Sequence, residues 1–198
     1  LHRPESLNKL VSEIDSLEWH SIEREGLGDV YEGVLQKNAS ELKGGAGQYF
    51  TPRPLIDCII CVIRPQPGEL IVDPAVGTGG FFVAAKASLT SNEASFFGVE
   101  LVRDTHRLAL MNAALHDIPG DIVLGDSLTK GGVSLPKADV ITTNPPFGNK
   151  RGTGCPMRSD LPFPTSNKQL AFLQLIYLSL KQGGRAGVVL PDNVLIEE

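Results

Sequence analysis

The sequence predicts an α/β chain built on a doubly wound, mostly parallel sheet. Three observations carry this. From residue 48 onward, short β-rich runs alternate with helical runs, the pattern of βαβ units. The first β run passes straight into a glycine-rich turn and a helix. The fourth ends in a polar segment stiffened by two prolines.

The elements follow in order. Pro52 or Pro54 opens a helix that runs to about Ile63, and Pro65 ends it. Glu69–Val72 is the first strand and Gly79–Leu89 the helix after it. Ser95–Val99 is the second strand, Arg103–His116 a strongly helical run, and Asp121–Leu124 the third strand. Ala138–Thr142 is the fourth. Gln169–Lys181 is a long apolar helix closed by Gly183 and Gly184, with Arg185–Leu190 as the fifth strand. No internal repeat or low-complexity tract interrupts the pattern.

Residues 1–42 are different. Leu7, Leu10, Val11, Ile14 and Leu17 fall at helical spacing, Val30, Val34 and Leu35 continue it, and Gly26 and Gly28 divide the two stretches. Two short amphipathic helices bury little core, so residues 1–43 read as the tail of an N-terminal helical domain. The hinge Lys43-Gly44-Gly45-Ala46-Gly47 leads into a C-terminally incomplete α/β domain, 44–198. A parallel sheet is normally covered at both edges, so the protein is expected to continue past Glu198.

With 41% apolar and 21% charged residues the chain is globular rather than disordered. No run of ~18 uncharged apolar residues appears, so no membrane-spanning helix is expected. Three cysteines are too few for a disulfide framework, which points to the cytoplasm. The net charge of −5 sits wholly in residues 1–42, where nine acidic side chains face four basic ones. A protein that grips DNA alone usually carries a basic footprint. If DNA is the substrate, another chain supplies most of the phosphate contacts.

The first strand runs into Asp73-Pro74-Ala75-Val76-Gly77-Thr78-Gly79-Gly80-Phe81. Such a turn lets backbone approach a ligand, and the helix behind it offers free N–H groups. The dinucleotide pattern would need a third glycine where Phe82 stands, which disfavours a pyrophosphate ligand. Asp73 suits a cationic ligand such as an amino acid ammonium group. Glu100 ends the second strand, where a carboxylate accepts hydrogen bonds from ribose hydroxyls. Together these describe a nucleoside with a free ribose and an amino acid tail; S-adenosylmethionine is such a molecule. Asp126 either reaches the adenine ring or satisfies its own turn.

The fourth strand ends in Asn144-Pro145-Pro146-Phe147. The prolines remove two N–H donors, leaving the Asn144 side-chain oxygen and the Pro145 carbonyl as acceptors beside an aromatic face. That set fits a planar ring carrying an exocyclic NH2: two acceptors for its two N–H bonds and a ring to stack on.

This tetrapeptide, the Asp73–Phe81 loop and Gln48-Tyr49-Phe50-Thr51-Pro52-Arg53 together resemble the amino-methylating DNA adenine methyltransferases. More narrowly, the chain resembles the methylation subunit of type I restriction-modification systems, a likeness that extends to Gly26–Glu32 and Pro191–Val194. The resemblance implies a Rossmann-like, class I S-adenosylmethionine-dependent methyltransferase fold and adenine-N6 methylation of DNA. It implies catalytic roles for Asn144, Pro145 and Phe147. The Gln48–Arg53 segment (Gln48, Tyr49, Phe50, Thr51, Pro52, Arg53) would close over the methionine part of the cofactor. Thr78, Gly79 and Gly80 match the cofactor loop, with Asp73 and Gly77 before them, and Glu100 matches the ribose carboxylate. The implied partners are DNA through a flipped adenine, a specificity subunit, a second methylation subunit and a restriction subunit. Two departures stand out: a short Ser88–Ala94 connection, and no C-terminal strands or helices of the kind relatives use against the specificity subunit.

Other residues read conservatively. Lys150, Arg151 and Arg158, in a loop without acidic residues, are either phosphate contacts or a solvated loop. Cys58 and Cys61 have metal-ligand spacing, but they lie in an apolar helical run without nearby histidine and are expected on a buried face; no metal site is assigned. His20, His106 and His116 read as surface or cap residues and Trp19 as packing. Two other functions remain open: an N-methyltransferase acting alone on a glutamine amide or RNA, and a cofactor-binding scaffold without turnover.

Overall fold

The structure is a computed structural model that describes residues 4–16, 30–31, 33–34, 51–91, 93–129, 132–147 and 158–195. Helix α1 spans Pro4–Asp15, and residues 30, 31, 33 and 34 are also helical. The expected boundary at residues 43 and 44 lies outside the described residues, as do Trp19 and His20. Tyr31 belongs to the N-terminal part, and its hydroxyl donates to the Leu108 carbonyl at 3.3 Å.

The α/β part is ordered α2 (Arg53–Ile63), β1 (Leu70–Asp73), α3 (Gly80–Ser88), β2 (Ser95–Glu100), α4 (Arg103–Leu115), β3 (Gly120–Leu124), β4 (Ala138–Thr143), α5 (Lys168–Ser179) and β5 (Leu180–Val188). The five strands form one sheet in the order β3-β2-β1-β4-β5, and every pair is parallel.

Alternation along each strand explains the two covered faces. Ile71, Phe96 and Val140 point to one side, where they join Ile56 and Ile60 of α2, Phe81 and Phe82 of α3 and Ala109 of α4. Phe82 meets Phe96 edge-on, with ring centroids 5.2 Å apart. Their neighbours Val72 and Ile141 point to the other side and pack on Ile176 of α5. With both faces buried, the strands read as continuous apolar runs rather than as alternating patterns.

One boundary differs from the sequence reading. The last helix stops at Ser179, and β5 begins at Leu180 and runs through Gly183 and Gly184. Leu180 is extended and pairs with Ala138, then the register slips before Arg185 meets Val140. Gly183 has φ +79°, so the glycines serve an irregularity inside the strand rather than a helix cap. Arg185 fixes the far side of the slip. Its guanidinium grips both oxygens of Glu69, at 2.7 and 2.9 Å, and also donates to the Ile63 and Arg64 carbonyls at the end of α2.

Cys58 and Cys61 are exposed, not on the buried face expected of them. Helix α2 buries Ile56 and Ile60, and positions 58 and 61 fall off that stripe.

Candidate active site

The strand order reverses between β1 and β4: the chain builds outward from β1 in one direction and from β4 in the other. In open α/β sheets ligands bind beyond the carboxyl ends of the strands at this point. Both sequence-marked segments leave the sheet here. Val72 pairs with Ile141, so the Asp73–Gly80 turn and the Asn144–Phe147 segment emerge side by side.

The turn is held from four directions. Gly77 has φ +58° and Gly79 φ +90°, backbone states that a side chain would strain. A Cβ on Gly77 would meet nothing within 4 Å, so the turn opens onto free space there. The Val76 N–H donates to the Val99 carbonyl at 2.9 Å. Glu100 accepts from Gly77 N through Oε2 at 3.0 Å and from Val102 N through Oε1 at 2.8 Å. Asn112 of α4, 1% exposed, donates from Nδ2 to the Thr78 carbonyl at 3.0 Å, and its buried Oδ1 has no partner among the described residues. The Ser127 hydroxyl donates to the Pro74 carbonyl at 2.6 Å. Asn112 and Ser127 escaped the sequence reading: a polar residue within a helical run and a turn serine carry no signal until the fold brings them to the loop.

Asp73 is 1% exposed, and its Oδ1 accepts from Ala75 N at 2.9 Å. Burial pushes its carboxyl up to about 7. The Ala75 N–H and the adjacent Thr143 hydroxyl, which does not complete a hydrogen bond, oppose the shift, while Glu100 adds to it. Burial likewise raises Glu100, against the N–H groups of Val102, Gly77 and Leu101. Asp126 Oδ1 accepts from Leu128 N at 2.8 Å.

At the tip of β4, Asn144 Nδ2 donates to Thr51 Oγ1 at 2.9 Å, and Asn144 Oδ1 is covered without a partner among the described residues. The Pro145 side chain is fully buried, Pro146 is exposed and Phe147 half-buried. Pro52 is the N-cap residue of α2 and Arg53 its first residue, with Nε on Asp57 Oδ1 at 3.0 Å. Gly79 is the N-cap residue of α3 and Gly80 its first residue; a Cβ on Gly80 would meet Ile56 Cδ1 at 3.1 Å. Gln48, Tyr49 and Phe50 lie outside the described residues, as do Lys150 and Arg151. The structure thus brings Thr51, Asn144 and the glycine turn to one end of the sheet.

Arg158 is a correction to the phosphate-contact reading. It forms a two-pronged pair with Asp160, at 3.0 and 2.8 Å, and donates to the Ser127 and Val133 carbonyls. Its charge is spent inside the protein. His106 contacts the Ile122 carbonyl at 2.8 Å, and His116 caps α4 as expected. Among the described residues no group of three or more His, Cys, Asp or Glu is placed to hold a metal ion. No described helix is long and apolar enough to cross a membrane.

A family profile described as N-6 DNA Methylase matches residues 22–198. The chain belongs to the N-6 DNA methylase family. The chain is 48% identical, over 98% of its length, to the type I restriction enzyme StySPI methylase subunit of Salmonella potsdam and covers 41% of that protein. The EcoKI methylase subunit of Escherichia coli K12 is also 48% identical, over 98% of this chain and 41% of its own. The crystal structure of the EcoKI M protein superimposes with a TM-score of 0.67 at 45% identity, covering 79% of this chain and 36% of that one. The chain therefore spans about two fifths of the length of the curated relatives it matches.

Proposed function

We propose that this chain carries the donor site and amine-accepting site of an adenine-N6 DNA methyltransferase, working as the methylation subunit of a type I restriction-modification complex. The observation that carries this is Asn144 Oδ1, a covered acceptor without a partner among the described residues, at the tip of β4 beside the glycine turn. A polar atom left unpaired away from water is costly, and an amine N–H would satisfy it. The relatives' printed names support the assignment to type I methylation.

The turn fits the donor. Gly77 faces open space, Glu100 sits at the end of β2, and α3 begins with free N–H groups. Glu100, Thr78, Gly79 and Gly80 would hold S-adenosylmethionine, with the Gln48–Arg53 segment against its methionine part. When bound, that cofactor supplies an electrophilic methyl group on a sulfonium. Asp73, with Oδ1 already on Ala75 N, shapes the turn and offers its remaining oxygen to a cation.

Asn144 Oδ1 and the Pro145 carbonyl accept the two N6–H bonds of adenine. They turn the nitrogen lone pair out of conjugation and stabilise the positive charge that develops on N6. Phe147 stacks on the flipped base, which recovers part of the unstacking cost at ~1–3 kcal/mol per base. The proton leaves to water. Partners are DNA, the specificity subunit, a second methylation subunit and the restriction subunit, in the cytoplasm.

The test uses the full-length subunit assembled with its specificity subunit. Asn144→Ala lowers methyl incorporation into adenine N6 by about a hundredfold or more, as loss of one preorganised transition-state contact does. Cofactor affinity by calorimetry stays within about twofold. Equal loss of both, or methylation retained, overturns the assignment.

A further inference from the structure

We propose that Thr51 is a positioning residue for the target amine, acting through Asn144: its hydroxyl engages Nδ2 and holds the plane of the Asn144 amide, leaving Oδ1 for the substrate. This rests on the amine-accepting role given to Asn144 above.

A side-chain amide has two faces of opposite polarity, and its last torsion is soft. Asn144 can receive an amine only if its oxygen points to the site; turned over, it sets NH2 against NH2. Its backbone is constrained on both sides. The Thr143 carbonyl accepts from Val189 N at 3.0 Å, and Pro145 restricts the residue before it. The amide torsion is what remains to be fixed. The contact that holds it in the structure is Nδ2 to Thr51 Oγ1 at 2.9 Å, with no partner for Oδ1 among the described residues.

Thr51 is suited to that task. It precedes Pro52, which holds it extended, and its β-branched side chain has few rotamers. Pro52 and Pro54 preset the start of α2, where the Pro52 carbonyl takes the N–H groups of Leu55 and Ile56. Ile56 then packs in the core directly beneath Gly80 of the cofactor loop. The hydroxyl is therefore presented from a rigid helix start that is keyed to the donor site. A contact across 93 residues of sequence joins the two halves of the reaction.

The experiment uses the full-length subunit in complex with its specificity subunit, and measures kcat and KM for DNA at saturating cofactor and cofactor affinity by calorimetry. Thr51→Val keeps the shape and removes the hydroxyl. At saturating cofactor it lowers kcat about tenfold, the worth of one orienting hydrogen bond, with KM for DNA within about twofold and any loss of cofactor affinity, from its place in the Gln48–Arg53 segment, smaller than the loss of kcat. Thr51→Ser restores the hydroxyl and brings kcat back to within about threefold of the wild type. The proposal is overturned if T51V weakens cofactor binding while kcat at saturation holds, which makes Thr51 a wall of the donor site alone. It is also overturned if T51S falls as far as T51V, which makes the methyl group the important part. Should T51V not assemble, the T51S comparison with the wild type still decides. Turnover retained in N144A overturns the underlying reading instead, and is recognised by its independence of residue 51.

Discussion

The Gly77 backbone N–H donates to Glu100 Oε2 at 3.0 Å, so the carboxylate at the tip of β2 holds the glycine-rich turn that follows β1. Glu100 is thus both a framing group for the turn and, in the proposed function, the acceptor for the ribose hydroxyls. Replacing it with alanine removes the acceptor that holds the N–H groups of Gly77 and Val102. Glu100→Ala is expected to lower stability by about 1–3 kcal/mol in urea unfolding. It also weakens S-adenosylmethionine binding at least tenfold by calorimetry. Wild-type affinity in the variant refutes the double role.

Asn112 holds the same turn from behind, through the Thr78 carbonyl. Asn112→Ala removes the donor, and Asn112→Asp sets a second acceptor against that carbonyl. Stability and cofactor affinity should fall in the order wild type, Ala, Asp, with about 1–3 kcal/mol lost at the first step. An aspartate variant as tight as the wild type would show that the contact does not position the loop.

Asp73 gives the fold a pH dependence whose sign is set by burial. Its folded carboxyl titrates at about 7, well above the ordinary value of 3.8. Between those limits the folded chain keeps a proton that the unfolded chain has released, so stability declines as pH rises from about 4 to 7 and is level above. Glu100 contributes in the same direction. Asp139 and Asp160, held low by hydrogen bonds and ion pairs, act in the opposite sense at more acidic pH. Unfolding at several pH values from 5 to 8 should show a shallower decline in Asp73→Asn than in the wild type. Parallel curves would remove Asp73 as the source.

Arg158 braces the chain between β3 and α5 through Asp160 and two carbonyls. Arg158→Ala should cost about 1–3 kcal/mol of stability and leave the salt dependence of DNA binding by the complex unchanged. A flatter salt slope would return Arg158 to the phosphate contacts.

The sequence by itself determined the alternation of strands and helices, because continuous apolar runs bounded by proline and glycine leave few alternatives. It also determined the chemistry on offer at the site, because Asn144 between a strand and two prolines, and glycines behind Asp73, are local signals. Strand order was decided only in the folded chain: the reversal between β1 and β4 arises from pairing across distant residues such as Val72 with Ile141. The same is true of the long-range contacts that tune the site. Asn112, Ser127 and Thr51 reach their partners across 34, 53 and 93 residues. Arg158 looked like a free cation because Asp160 lies just past the loop, and Gly183 looked like a helix cap because a strand irregularity asks for the same backbone freedom. Local spacing specifies which groups a chain can present; which of them are consumed by the fold and which are left facing a ligand is settled by packing.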